Sequence, residues 1–222
     1  MTEFQYATRA QQLINRPPEE TAALTEERDR DLEDYLTVHH VPQWNDLRVP
    51  FNTINAGAPN APTYLKWRDD GAGSVGLYGY SFSATTREDV FFEAQLPHTY
   101  KEGSRLAPHC HFIPLTSPTV GQRVRFGLEY TYSNVGEVFP VATIIYAEYT
   151  FVDGDAQYQQ IIGGFDPDIE DGDIRVSAMF SCRFFRDAAH ANDTYTGEVV
   201  VLEFDFHHLV ESFGSINEFS KT

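Results

Sequence analysis

Arg123-Val124-Arg125-Phe126-Gly127-Leu128-Glu129-Tyr130-Thr131-Tyr132 decides the fold class of this chain. Val124, Phe126, Leu128, Tyr130 and Tyr132 alternate with Arg123, Arg125, Gly127, Glu129 and Thr131. A period of two residues is that of a strand with one buried and one wet face. The same rhythm sets Val90, Phe92, Ala94 and Leu96 against Asp89, Phe91, Glu93 and Gln95. It also sets Ile174, Val176, Ala178, Phe180, Cys182 and Phe184 against Arg175, Ser177, Met179, Ser181 and Arg183. In a fourth segment Val200, Leu202, Phe204 and Phe206 alternate with Val201, Glu203, Asp205 and His207. Shorter strands are expected over 63–67, 77–83, 109–115 and 158–162. Val141 to Val152 is apolar on both faces and reads as a central or interface-covered strand. Turn signals separate these segments, among them Asp153-Gly154-Asp155 and Glu170-Asp171-Gly172. About nine strands without helical crossovers predict an all-β antiparallel β-sandwich of jelly-roll type.

The first forty residues differ. Pro17-Pro18-Glu19-Glu20-Thr21 reads as a break and helix start, and strong helix formers with heavy charge follow to Leu36. The expected organisation is an N-terminal arm with a short charged helix, 1–41, and a sandwich domain, 42–222. Leu24, Leu32, Tyr35 and Leu36 make a thin apolar stripe, too little for a short helix to stand alone. Leu24, Leu32 and Leu36 are therefore candidate interface residues, packed either on symmetry mates or back on the chain's own body. Tyr146, Tyr149 and Phe151 are the corresponding candidates on the body, with ordinary core as the alternative.

The 222 residues carry 33 acidic and 16 basic side chains, a formal charge of −17. Such a surface has no counterions to gain from a phosphate backbone, so a nucleic-acid partner is not expected. No stretch of about 18 apolar residues exists, so neither is a membrane span. The start of the chain lacks a basic region followed by an apolar one, so no secretory signal is expected and synthesis in the cytoplasm is the default. Two cysteines, Cys110 and Cys182, do not make a disulfide framework, and one bridge between them stays open.

The residues most suggestive of chemistry are Gly103 through His111, which match the opening of the first cupin motif: Gly, five residues, His-x-His. Two residues apart on a strand share a face, so His109 and His111 could offer two imidazoles to one metal inside a barrel. Asp205 and His207 share another strand face and complete a set of four. The carboxylate the cupin pattern needs next is missing from Phe112 to Ser117. A His-x-His pair alone is a weak signal, so polar wet-face residues are the preferred reading and no cofactor is expected. The acidic run Asp166–Asp173 fails the EF-hand register and reads as a solvated turn. Serine elbows, phosphate loops and CxxC pairs are absent, so no catalytic residue is assigned.

Glu26-Glu27-Arg28-Asp29-Arg30-Asp31-Leu32-Glu33-Asp34-Tyr35-Leu36 resembles the short charged helix of many tailed-phage appendage and decoration proteins. In the body, 96–103, 108–111, 127–130 and 136–139 resemble stretches of phage virion proteins. The resemblance implies a non-enzymatic structural role in the virion, as a capsid decoration or head-fibre protein, with a tail or baseplate component as the alternative. Its implied partners are further copies of the chain, as a dimer or trimer, and the major capsid or other virion proteins. A cupin-like metal-dependent enzyme using His109, His111 and His207 is a rival reading. A carbohydrate-binding module using Trp44 or Trp67 is another, because aromatic-rich sandwiches often present rings to sugars.

Overall fold

The computed structural model describes residues 43–222 except positions 58, 70, 72, 216, 219 and 222. The expected arm helix, with Leu24, Leu32 and Leu36, lies outside the described residues. Ten strands follow in order: β1 (Gln43–Pro50), β2 (Thr63–Arg68), β3 (Leu77–Phe82), β4 (Glu88–Gln95), β5 (Leu106–Pro114), β6 (Arg123–Ser133), β7 (Thr143–Thr150), β8 (Ile161–Gly164), β9 (Met179–Arg186) and β10 (Val199–Val210). One sheet runs β2-β3-β10-β5-β8 with β1 also paired to β10, and the other runs β4-β9-β6-β7. The strand pairs with a resolved register are antiparallel, and the chain is an all-β sandwich of jelly-roll type. No helix among the described residues is long and apolar enough to cross a membrane.

The alternation read from the sequence becomes the core. Val90, Phe92 and Ala94 of β4, Val124, Phe126 and Leu128 of β6, and Phe180, Cys182 and Phe184 of β9 are buried. They meet Leu106, Cys110 and Phe112 of β5 and Phe204 and Phe206 of β10. Aromatic rings carry much of the contact between sheets, with centroids 5.1 Å apart for Phe92–Phe204, 5.2 Å for Phe180–Phe206 and 5.2 Å for Phe112–Phe126. Such pairs add roughly 0.5–1.5 kcal/mol each beyond the area they bury. Cys110 and Cys182 are both buried free thiols, so no bridge joins them, and burial pushes both thiols up in pKa.

Four strand expectations change. The strand predicted from Ile174 begins only at Met179. Ile174, Val176 and Ala178 are still buried, but their backbone amides bond to a turn carbonyl or to Glu102 Oε1 instead of a ladder. β7 is the outermost strand of its sheet and not a central one. Its two apolar faces have different causes: Ile145 and Ala147 enter the core, while Tyr146 lies outside beside Phe185 and under the Arg125 guanidinium. Tyr158, expected in a strand, stands in a turn with φ of 64°.

The fourth change is on β10. Val199 and Val201 pair with Phe82 and Tyr80 on the core face, and Phe204 and Phe206 are in the core too. An unbroken alternation would put them on opposite faces. The register against β5 shifts between Val201 and Glu203, which leaves one residue over and restores Phe204 and Phe206 to the interior.

The candidate body interface divides accordingly. Phe151 is fully buried against Phe112, Tyr149 and Tyr195, Tyr149 gives its hydroxyl to Asp155 at the sandwich edge, and Tyr146 is on the other face of β7. The three do not form one surface.

The outer face of the four-stranded sheet is a cross-strand ion-pair lattice. Arg183 bonds Glu129 at 2.6 Å and Asp89 at 2.9 Å, and Arg125 pairs with Glu148 and Asp187. Phe185 is buried in this polar face because its ring lies over Gly127, where a Cβ would come within 2.0 Å of Phe185 Cζ, with Arg87 stacked at 3.5 Å.

At one end of the sandwich Arg186 is wholly buried. Its guanidinium bonds both carboxylate oxygens of Asp193 at 3.0 and 2.8 Å and the carbonyls of Gly197 and Tyr195 at 2.7 Å. Removing one partner of a buried pair strands the other charge, which costs about 3–5 kcal/mol. Asp193→Ala is therefore expected to lower unfolding free energy by about that amount. Urea unfolding of parent and variant checks it, and a loss within the error of the measurement would show that the pair is dispensable.

Candidate functional site

His109 and His111 occupy alternate positions of β5, and Asp205 and His207 alternate positions of β10. The register pairs Asp205 with His109, Glu203 with His111 and His207 with Ala107, so the four side chains lie on one face. That face is the outer one, because the intervening residues Cys110, Phe204 and Phe206 are core. The grouping expected from the sequence is thus brought together, but it faces away from the sandwich interior. A cupin-type metal held inside the barrel is overturned by that orientation. His208, the other candidate for the late histidine, points inward and is buried near Tyr100.

The cluster converges on one oxygen. His111 Nε2 is 3.2 Å and His109 Nε2 3.5 Å from Asp205 Oδ2. The His109 ring is 4.1 Å from that of His207 and 5.1 Å from that of His111, centroid to centroid. Asp205 is only 3% exposed in its side chain, and neither its Oδ1 nor His109 Nδ1 has a hydrogen-bond partner. Burial of this kind disfavours charge. It raises the Asp205 carboxyl to about 7, helped by the nearby acids Glu203 and Asp46 and opposed by Arg48. Burial, with the neighbouring His207 charge, lowers His109.

Around the cluster runs a second set of polar groups. The Gln160 side-chain amide nitrogen lies 2.7 Å from His111 Nδ1, and His207 Nε2 lies 2.8 Å from Asp46 Oδ1. Arg48 forks onto Glu203. Trp44, Asp46 and Arg48 alternate along β1, which brings the Trp44 ring within 6.3 Å of His207 and under Arg105.

Aromatic rings continue the face at its other end. The Trp67 ring packs over Gly79 of β3, where a Cβ would meet Val200 Cγ1 at 2.7 Å and the indole at 3.5 Å. Tyr158 lies 6.1 Å from Trp67, with the Arg68 guanidinium 4.8 Å from its ring. Gly79 neighbours Tyr80, which pairs with Val201, so about five residues of β10 separate the Trp67 end from His207 at the Trp44 end. At roughly 3.3 Å per residue that is about 17 Å of face. The sequence offered Trp44 and Trp67 as candidates; Tyr158, Gln160, Asp46, Arg48 and Glu203 were missed, because only the sheet order makes them neighbours.

Asp166–Asp173 has turn roles. Asp168 pairs with Arg105 at 3.0 Å, while Asp171 accepts the Tyr132 hydroxyl and the Asp173 amide.

No family model matches the chain, and no curated protein matches it. Among solved structures it is similar to TmCBM61 in complex with beta-1,4-galactotriose, at 11% identity and TM-score 0.29 over 80% of this chain and 94% of that one. A non-crystalline cellulose specific carbohydrate-binding module, CBM28, aligns at 11% identity and TM-score 0.27 over 73% and 86%. Dimeric latent PorU from Porphyromonas gingivalis aligns at 12% and 0.30 over 78% of this chain and 13% of that one. Superpositions this loose decide nothing about function.

The Asp205 shift has a sign. Its folded value of about 7 lies above the ordinary 3.8, so between the two the native state holds a proton that the unfolded chain has released. Stability is lost as pH rises through that window and is level above it. His109 acts oppositely: acidification below its ordinary 6.5 costs stability, because a buried ring must charge. Asp205→Asn removes the first contribution. With chelator present, its thermal midpoint is expected to gain on the parent's as pH goes from about 4 to about 7. Midpoints that run parallel would show that Asp205 is ionised throughout.

Proposed function

We propose that this chain is a non-catalytic carbohydrate-binding module whose ligand face is the outer side of the six-stranded sheet. The observation that carries the reading is the placement of Trp44 and Trp67 on one sheet face, at either end of a strip of hydrogen-bonding side chains. Sugar rings have apolar C–H faces and polar edges. Indole rings suit the first, and carboxylate, amide and guanidinium groups suit the second. Trp44 is 47% exposed, so its ring is open to a ligand. A strip of about 17 Å fits a short oligosaccharide or a stretch of polysaccharide better than one sugar unit. The net charge of −17 disfavours anionic glycans and points to neutral ones.

Titration with a panel of neutral polysaccharides, followed by tryptophan fluorescence and calorimetry, tests this. Binding to at least one is expected, with Trp67→Ala and Trp44→Ala each weakening it tenfold or more, as truncation of a central aromatic contact does. No binding across the panel, or binding indifferent to both substitutions, would overturn the reading.

A second reading, assembly of copies in a phage particle, draws on the resemblance in the charged helix and on one observation. The connection between β6 and β7 presents Val135, Val138, Phe139 and Val141 to solvent, with Val138 at 90% and Val141 at 93% exposure. Apolar side chains grouped on one exposed loop favour a protein contact. Native mass spectrometry of the full chain is expected to show a dimer or trimer, which Val138→Asp with Val141→Asp would dissociate. A parent that stays monomeric at tens of micromolar would end this reading.

A further inference from the structure

We propose that His109, His111 and Asp205, joined by His207, bind one borderline divalent transition-metal cation of the zinc type on the outer face of the six-stranded sheet. This stands apart from the glycan reading and survives its failure.

The geometry comes first. Zinc bonds of about 2.0–2.1 Å at tetrahedral angles place ligand atoms about 3.3–3.4 Å apart. His111 Nε2 and His109 Nε2 already lie 3.2 and 3.5 Å from Asp205 Oδ2. One ligand atom from each of the three residues falls within 4.8 Å of the others. The donors are two imidazole nitrogens and a carboxylate oxygen, a set that suits zinc and its neighbours and not hard cations such as calcium, which want six or more oxygens. His207, with its ring 4.1 Å from that of His109, supplies a fourth nitrogen by turning from Asp46.

The second argument is what the site leaves unmet. Asp205 and His109 are 3% and 6% exposed in their side chains, and Asp205 Oδ1, the second oxygen the carboxylate can turn to an ion, has no hydrogen-bond partner. A buried carboxylate among three imidazoles is costly as an anion and satisfied by a dication.

The third is the surrounding shell. A histidine that gives Nε2 to a metal keeps a proton on Nδ1, which wants an acceptor. Gln160 is at His111 Nδ1, 2.7 Å away, and its amide can present oxygen instead of nitrogen by a flip. The charged groups facing the cluster are Asp46, Arg48 and Glu203, and Arg48 is already engaged by Glu203.

The test uses the full chain stripped with chelator and titrated with Zn²⁺, with Ca²⁺ as the control cation. Native mass spectrometry and calorimetry count the ions, and a thermal scan reads stability. One Zn²⁺ per chain is expected, with a raised midpoint and proton release on binding, and no response to Ca²⁺. His111→Asn, partly exposed and tolerant of change, is expected to weaken Zn²⁺ binding at least tenfold, and His207→Asn less. Retained metal-free midpoints in these variants would show that the fold is intact. No stoichiometric Zn²⁺, a preference for Ca²⁺, or Zn²⁺ binding unchanged in both His111→Asn and Asp205→Asn would overturn the proposal.

Discussion

Strand β10 has to satisfy two sets of neighbours with one alternation of side chains. It is hydrogen-bonded to β5 over most of its length and to β3 at Val199–Val201, so it cannot rotate to suit its residues. Its first half sends Val199 and Val201 into the core, and its second half sends Phe204 and Phe206. A period of two allows both only if one residue is left over, and the register shift after Val201 supplies it. Burying a phenylalanine is worth about 1.5–3 kcal/mol. Two of them hold the shift in place, and the outward face of Glu203, Asp205 and His207 follows from their burial.

Each outer face sets an aromatic ring against a glycine, in different surroundings. On the four-stranded sheet Phe185 lies over Gly127 and is sealed by Arg87, within a lattice of arginine–carboxylate pairs. On the six-stranded sheet Trp67 packs on Gly79, on the same face as a cluster in which Asp205 Oδ1 and His109 Nδ1 have no hydrogen-bond partner. At Gly127 the missing Cβ makes room for the Phe185 ring, whereas at Gly79 it makes room for Val200 Cγ1 and the Trp67 indole rests at ordinary contact distance. On the first face arginines and carboxylates pair with one another and only Arg87 Nε, over Phe185, is buried without a hydrogen-bond partner among the described residues; on the second a buried carboxylate oxygen and an imidazole nitrogen, Asp205 Oδ1 and His109 Nδ1, go without. At the end of the sandwich, Arg186 has its donors met by Asp193 and backbone carbonyls, a buried charge that is fully satisfied.

Much of the fold was legible because burial on one side of a strand leaves a period-two trace. β4 and β6 read directly, with Val90 and Phe92 or Val124 and Phe126 inside as expected. The trace misleads where burial has another cause. Ile174 and Val176 are buried from a turn, and Tyr146 owes its place to Gly127 and Phe185 on the outer face. On β10 the run Val199-Val200-Val201 is apolar at every position, so nothing in it marks where the alternation slips.

For the candidate site, the sequence alone determined that His109 and His111 share a face, and that Asp205 and His207 share one, since both follow from i, i+2 spacing on a strand. It also determined the acidity and the supply of aromatic rings. Tertiary structure decided which face that was and what stood beside it. Pairing β10 with β5 laid Asp205 against His109, pairing with β1 brought Asp46 and Arg48, and the connection into β8 brought Gln160. Side-chain period is a local property of the backbone, whereas strand order and register emerge only when both sheets close over one core.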